Sequence, residues 1–190
     1  KNSATPIKNS DPLIIGYGGD QNYQHFNGGV DEVKIRNYAI SRQEILKNYQ
    51  ENFEKKLITH YKFEDNTNDE TGNNPATNNG ATYTQGIIGK AANLDGTSSE
   101  ITAQSFETLK LGNHQTIEAW VKVQELPSEW ARIVGKGGFE KGNYGLWIQS
   151  DGDILYQFFD ETGTKHDLWT NTGQGAGNIK PDNTWHYIVE

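Results

Sequence analysis

Phe26-Asn-Gly-Gly-Val-Asp-Glu-Val-Lys-Ile-Arg-Asn-Tyr-Ala-Ile-Ser-Arg-Gln-Glu-Ile45 decides the fold, because it reads as a strand delivered straight into a short helix. Gly29–Arg36 has strand character. Ser41-Arg-Gln-Glu44 is a capping box, in which the Ser hydroxyl and the Glu carboxylate each satisfy an orphan backbone N–H. Behind it Ile45, Leu46 and Tyr49 form a short apolar stripe, so the pattern predicts one short helix over residues 42–50. Residues 51–56, Glu51-Asn-Phe-Glu-Lys-Lys56, are polar and lead to a new strand at Leu57–Phe63. They read as a linker where one domain ends and another begins.

Outward from that point the chain is dominated by apolar alternation with a period of two. Ile117, Ala119, Val121 and Val123 share one face, and Glu118, Trp120 and Lys122 the other. Tyr144–Ile148 and Ile154–Phe158 flank Ser150-Asp-Gly-Asp153, a strong hairpin signal. Further strands are expected at Leu13–Gly16, Ala91–Leu94, Ile101–Thr102, Arg132–Gly135 and Trp185–Val189. Many short strands with Gly- and Asn-rich turns make this an all-β chain, a two-sheet antiparallel sandwich or jelly roll.

Composition narrows the function. The 190 residues include 21 Gly, 5 Trp, 9 Tyr and 7 Phe, but no Cys and no Met. Without Cys there is no disulfide scaffold, thiol nucleophile or thiolate metal site. An aromatic share of 11% argues against disorder. Seventeen Lys and Arg against 25 Asp and Glu give a net charge of -8, which disfavours nucleic acid as a partner. No apolar run approaches the roughly 18 residues of a membrane span, so membrane insertion is not expected. None of the 19 Asn begins an N-x-[ST] sequon, which favours a prokaryotic source. A chain opening on Lys1 with no Met reads as a piece of something longer.

Phe26–Ile45 resembles the closing segment of laminin-G-like, concanavalin-A-like jelly rolls, whose last strand carries G-x-[IV]-D-E-[VI]-x-[IV] before a short helix. His60-Tyr-Lys-Phe-Glu-Asp65, Asp69-Glu-Thr-Gly-Asn73, Gly89-Lys-Ala-Ala-Asn-Leu-Asp-Gly-Thr97 and Thr116-Ile-Glu-Ala-Trp-Val121 resemble the opening segments of the same family. Trp147-Ile-Gln-Ser-Asp-Gly152 and Trp185-His-Tyr187 follow in the family's order. The family's C-terminal segment therefore stands before its N-terminal ones. Residues 1–50 read as the end of one module, and 57–190 as the N-terminal and central part of the next. Three arrangements are open. Residues 12–50 complete the second piece within the chain, they complete a neighbouring chain by strand donation, or they belong to a preceding module.

The resemblance implies a non-catalytic module of a secreted or cell-surface protein, acting in adhesion or carbohydrate binding. It also implies that the last-strand Asp, here Asp31, ligates a structural Ca²⁺ beside the first strand. Calcium takes hard oxygens from carboxylates and turn carbonyls, so Asp31 is the leading ligand, followed by Asp95, then Glu64 or Asp65, with the Thr97 carbonyl as a further candidate. Asp31 and Asp95 could equally hold turns through side-chain-to-backbone bonds. Trp130, Trp169, Trp120, Glu118, Tyr17 and Tyr23 are the glycan-binding candidates, since sugars stack on aromatic faces beside polar groups. Trp120 reads better as sandwich filler. The alternative function is a structural repeat that assembles with neighbouring copies into a filament or surface array. A retaining glycoside hydrolase would need two carboxyls about 5–5.5 Å apart, and the strand of Glu118 offers no second acid before Glu125.

Overall fold

The structure, a computed structural model, describes residues 10–18, 24–45, 57–104, 106–111, 115–138, 143–170 and 178–190. The alternation noted above resolves into strands β1 (Leu13–Ile15), β2 (Asn27–Arg36), β3 (Leu57–Tyr61), β4 (Ala76–Asn79), β5 (Thr82–Gln85), β6 (Lys90–Asp95) and β7 (Glu100–Ala103). They continue as β8 (Thr116–Val123), β9 (Trp130–Lys136), β10 (Tyr144–Gln149), β11 (Ile154–Phe159), β12 (Lys165–Trp169) and β13 (His186–Val189). All pairings between these strands are antiparallel. One sheet has seven strands in the order β12-β11-β10-β9-β1-β7-β4. The other has six, in the order β13-β8-β2-β6-β5 with β3 also paired to β2.

The core lies between the sheets and follows from the period of two. Ile117, Ala119, Val121 and Val123 of β8 are all buried, as are Tyr144, Leu146 and Ile148 of β10 and Ile154, Tyr156 and Phe158 of β11. Each strand thus gives alternate side chains to one apolar layer, the arrangement that stabilises a sandwich.

The opening part of the chain sits inside both sheets. β1 is flanked by β7 and β9, with Ile14 opposite Thr102 on one side and Gly135 on the other. β2 is central in the six-stranded sheet. Its first half pairs β6, its second half pairs β3, and its other edge runs along β8. Midway, Glu32 and Val33 of β2 stand opposite the single residue Ala119 of β8, and Glu32 takes a φ of 51°. This bulge adds one residue, so Asp31, Lys34 and Arg36 all share the face of Trp120 and Glu118, away from the core.

The expected helix begins as read. Residues 42–45 are helical and the Glu44 N–H donates to Ser41 Oγ at 3.1 Å, while Glu44 Oε1 accepts the Tyr38 hydroxyl at 2.8 Å. The remainder of the expected helix and the linker at 51–56 lie outside the described residues. The strand expected over Leu57–Phe63 stops at Tyr61, because Phe63 and Asp65 both take a φ of 56° that a ladder cannot accept. Strands β4, β5 and β12 lack the apolar alternation that would have announced them.

Candidate functional site

Asp31 is fully buried on the outward face of β2. Its Oδ1 accepts the Glu32 N–H at 2.8 Å, and the Ile87 N–H also faces the carboxylate. The turn between β5 and β6 closes over it. The Gly86 N–H donates to the Gly89 carbonyl at 3.0 Å, and a Cβ on Gly86 would come within 2.7 Å of Asp31 Oδ2. Glu64 reaches the same turn and accepts the Lys90 N–H at 3.1 Å and 3.2 Å. A Cβ on Gly89 would collide with its carboxylate. Two carboxylates thus converge on a turn whose glycines leave room only for oxygen. Burial, then the nearby charge of Glu32, push the Asp31 carboxyl up to about 7.

The other expected calcium ligands divide. Asp65 is exposed and lies 3.8 Å from Lys90 Nζ. Asp95 stands opposite Asn27, four residues before Asp31 on β2, which puts it about 13 Å along the strand. Its Oδ1 accepts the N–H groups of Thr97, Ser98 and Ser99 at 2.8, 2.9 and 3.0 Å. Those bonds hold its carboxyl well below the usual range. Asp95 and Thr97 are therefore a turn at the far end of the strand, and the structure does not bring them to Asp31. Among the described residues no three acidic or His side chains converge as a metal cluster. A cation beside Asp31 would accordingly use Asp31, Glu64 and backbone carbonyls of the 86–90 turn. The two converging carboxylates and the glycine cradle fit such an ion.

Two of the aromatic candidates meet at one end of the sandwich. Trp130 opens β9 and Trp169 closes β12, yet their rings meet edge to face with centroids 5.3 Å apart. Trp169 remains 37% exposed, and Leu168 beside it 49%. Gln157 Nε2 donates to Asp167 Oδ1 at 3.0 Å on the same outward face, two pairs further along the β11–β12 ladder. Beneath, Trp147 is buried with the Arg132 guanidinium 4.3 Å from its ring centroid. Tyr17 belongs to the same end and stacks on His25 at 4.2 Å and 8°. Tyr23 lies outside the described residues.

A family model described as the concanavalin A-like lectin/glucanases superfamily matches residues 95–189. The chain belongs to that superfamily. Neither a curated protein nor a solved structure matches it. The laminin-G-like sandwich read from Phe26–Ile45 is thus the one observed, with β2 in its centre although the matched residues begin only at Asp95.

In this laminin-G-like module Glu118 has a structural position. It is fully buried, 2.7 Å from Arg36 Nη1 and 3.8 Å from Lys34 Nζ, and accepts the Tyr187 hydroxyl at 2.7 Å. Lys34 also reaches Glu32 at 3.3 Å, and Glu32 in turn contacts His60 Nε2. Contacts to His60 and Lys34 hold the Glu32 carboxyl low despite its burial. The chain of charges runs across β3, β2 and β8, and Glu118 presents no oxygen to a sugar. Trp120 lies on the same face, half-buried, with its ring 5.2 Å from that of Tyr187. It is on the opposite sheet from Trp130 and Trp169 and does not join them. Sequence reasoning missed Arg36, Lys34 and His60, since opposite charges meet here only through a bulged register. It also missed His25, which carried no spacing signal.

Proposed function

We propose that the chain is a non-catalytic carbohydrate-recognition module of an extracellular or cell-surface protein, with a structural Ca²⁺ beside Asp31. The observation that carries the reading is the Trp130–Trp169 pair, two indoles from strands far apart in sequence that leave an exposed apolar ring beside the Gln157–Asp167 amide and carboxylate. A ring face with flanking hydrogen-bonding groups is what a pyranose requires. The engagement of Glu118 with Arg36 and Tyr187 supports a module without catalysis.

Binding of the purified chain to immobilised polysaccharides and a glycan array tests this reading. Trp169→Ala is expected to weaken the best ligand about tenfold or more, in line with loss of one aromatic anchor. No glycan bound by the wild-type chain, or a Trp169→Ala chain that binds as well, contradicts it. For the ion, millimolar Ca²⁺ is expected to raise the melting temperature relative to chelator, because a ligand of the folded state stabilises it. Asp31→Asn is expected to remove that response.

A second reading is assembly of neighbouring copies by strand exchange into a filament or surface array. It draws support from β1 and β2, which the chain before residue 57 contributes to sheets otherwise built from residues after it. Concentration-dependent polymers without glycan binding would favour it.

A further inference from the structure

A polar groove of about 540 Å³ lies at the same end of the sandwich as the tryptophan pair, between the turn after β6 and the segment joining β8 to β9. His25, Asn27, Thr97, Glu125 and Ser128 line it. The groove and Trp130 share one braced wall. Gln24 Nε2 donates to Ser128 Oγ at 2.6 Å and Gln24 Oε1 accepts the Ser128 N–H at 2.7 Å. The Gln24 N–H donates to the Trp130 carbonyl at 3.1 Å. Trp130 is two positions after Ser128, roughly 7 Å of extended chain. We propose that the groove is a second contact region for the same ligand, which is a linear, uncharged oligosaccharide running from the groove to Trp130 and Trp169. The inference rests on the carbohydrate reading above.

The chemistry of the lining selects the class. Its hydrogen-bonding groups are of both kinds: the Asn27 amide, the Thr97 hydroxyl and the Glu125 carboxylate, suited to the mixed donors and acceptors of sugar hydroxyls. Asn27 Nδ2 already faces Glu125 Oε2 at 3.4 Å. Among the described residues the groove's lining carries the carboxylates of Asp95 and Glu125 and no Lys or Arg, with His25 as its one basic side chain. A uronate or sulfated sugar would meet the like charge of two carboxylates offset only by the His25 imidazole, and a neutral one would not. His25 is held from behind by its contact with the Ser99 carbonyl at 3.3 Å and by the Tyr17 stack, so the wall is pre-organised.

The test is calorimetric titration of the whole chain with neutral gluco-, manno- and xylo-oligosaccharides from dimer to hexamer, and with a uronic-acid hexamer. Affinity for the preferred neutral series is expected to rise about tenfold or more from dimer to hexamer, with the uronate hexamer far weaker. Thr97→Lys and Glu125→Ala, both at exposed positions, are expected to abolish that gain while the dimer binds as before and the melting temperature holds. If Trp169→Ala destroys binding but neither groove variant alters the hexamer, the carbohydrate reading stands and the groove inference falls. A uronate hexamer that binds as tightly as the neutral one overturns the selection by charge. If no sugar in the panel binds the wild-type chain, both fall.

Discussion

Glu118 shows how one side chain's surroundings set its role. Its strand position matches that of a sugar-facing acid, but Arg36, Lys34 and Tyr187 close round it. Removing one partner of a buried ion pair strands the other, so Glu118→Ala should cost about 3–5 kcal/mol in urea unfolding. A loss under about 1 kcal/mol would mean that the pair is solvated. Lys136 is the complementary case. It is fully buried at the end of β9 with its ammonium on the Asp11 carbonyl, and burial lowers its pKa to about 8 from 10.5. The folded state therefore favours the neutral amine. This group's unfavourable contribution is complete below pH 8 and vanishes as pH rises through 10.5. Lys136→Met is expected to flatten that rise in stability between the two values, as read from melting temperature against pH. An unchanged slope would show the ammonium to be hydrated. Neither environment was legible in the sequence, since Lys and Glu at alternate strand positions ordinarily mean solvent.

Elements were legible in proportion to their apolar alternation. β8, β10 and β11 appear nearly at the expected bounds, and the Asp-Gly hairpin between β10 and β11 is made, with Gly152 at a φ of 88°. β4, with the sequence Ala-Thr-Asn-Asn, and β5, with Thr-Tyr-Thr-Gln, were not legible. Their place at the sheet edges, with much of each strand in solvent, relieves them of any apolar face. The β2 bulge was hidden for another reason. A one-residue insertion is a property of the pairing, visible only once β8 lies beside it. Gly152 allows an element-scale test, because a Cβ there would strike the Ile179 carbonyl in addition to the cost of a left-handed residue. Gly152→Ala should lose more than the about 1–2 kcal/mol of backbone strain alone. A neutral substitution would mean that residues 178–180 do not pack on the hairpin.

At the scale of the molecule, the sequence disclosed a two-sheet sandwich but left open which chain's strands complete it. Composition and motif order are blind to whether β1 and β2 pair with their own chain or with a neighbour, because the hydrogen bonds are the same in either case. The ligand end was only partly legible. Trp130 and Trp169 were picked out for their polar surroundings, but their meeting depends on the start of β9 and the end of β12 lying together across β10 and β11. The opening strands close the sandwich of their own chain. The chain has no Cys, so a single engineered pair reports on it without interference. Ile14 and Thr102 face each other across β1 and β7, and opposed residues of an antiparallel pair lie within disulfide reach. Ile14→Cys with Thr102→Cys, oxidised at low concentration, is expected to give an intramolecular disulfide in a monomer. Disulfide-linked dimers or longer chains, or two thiols that stay free, would contradict it.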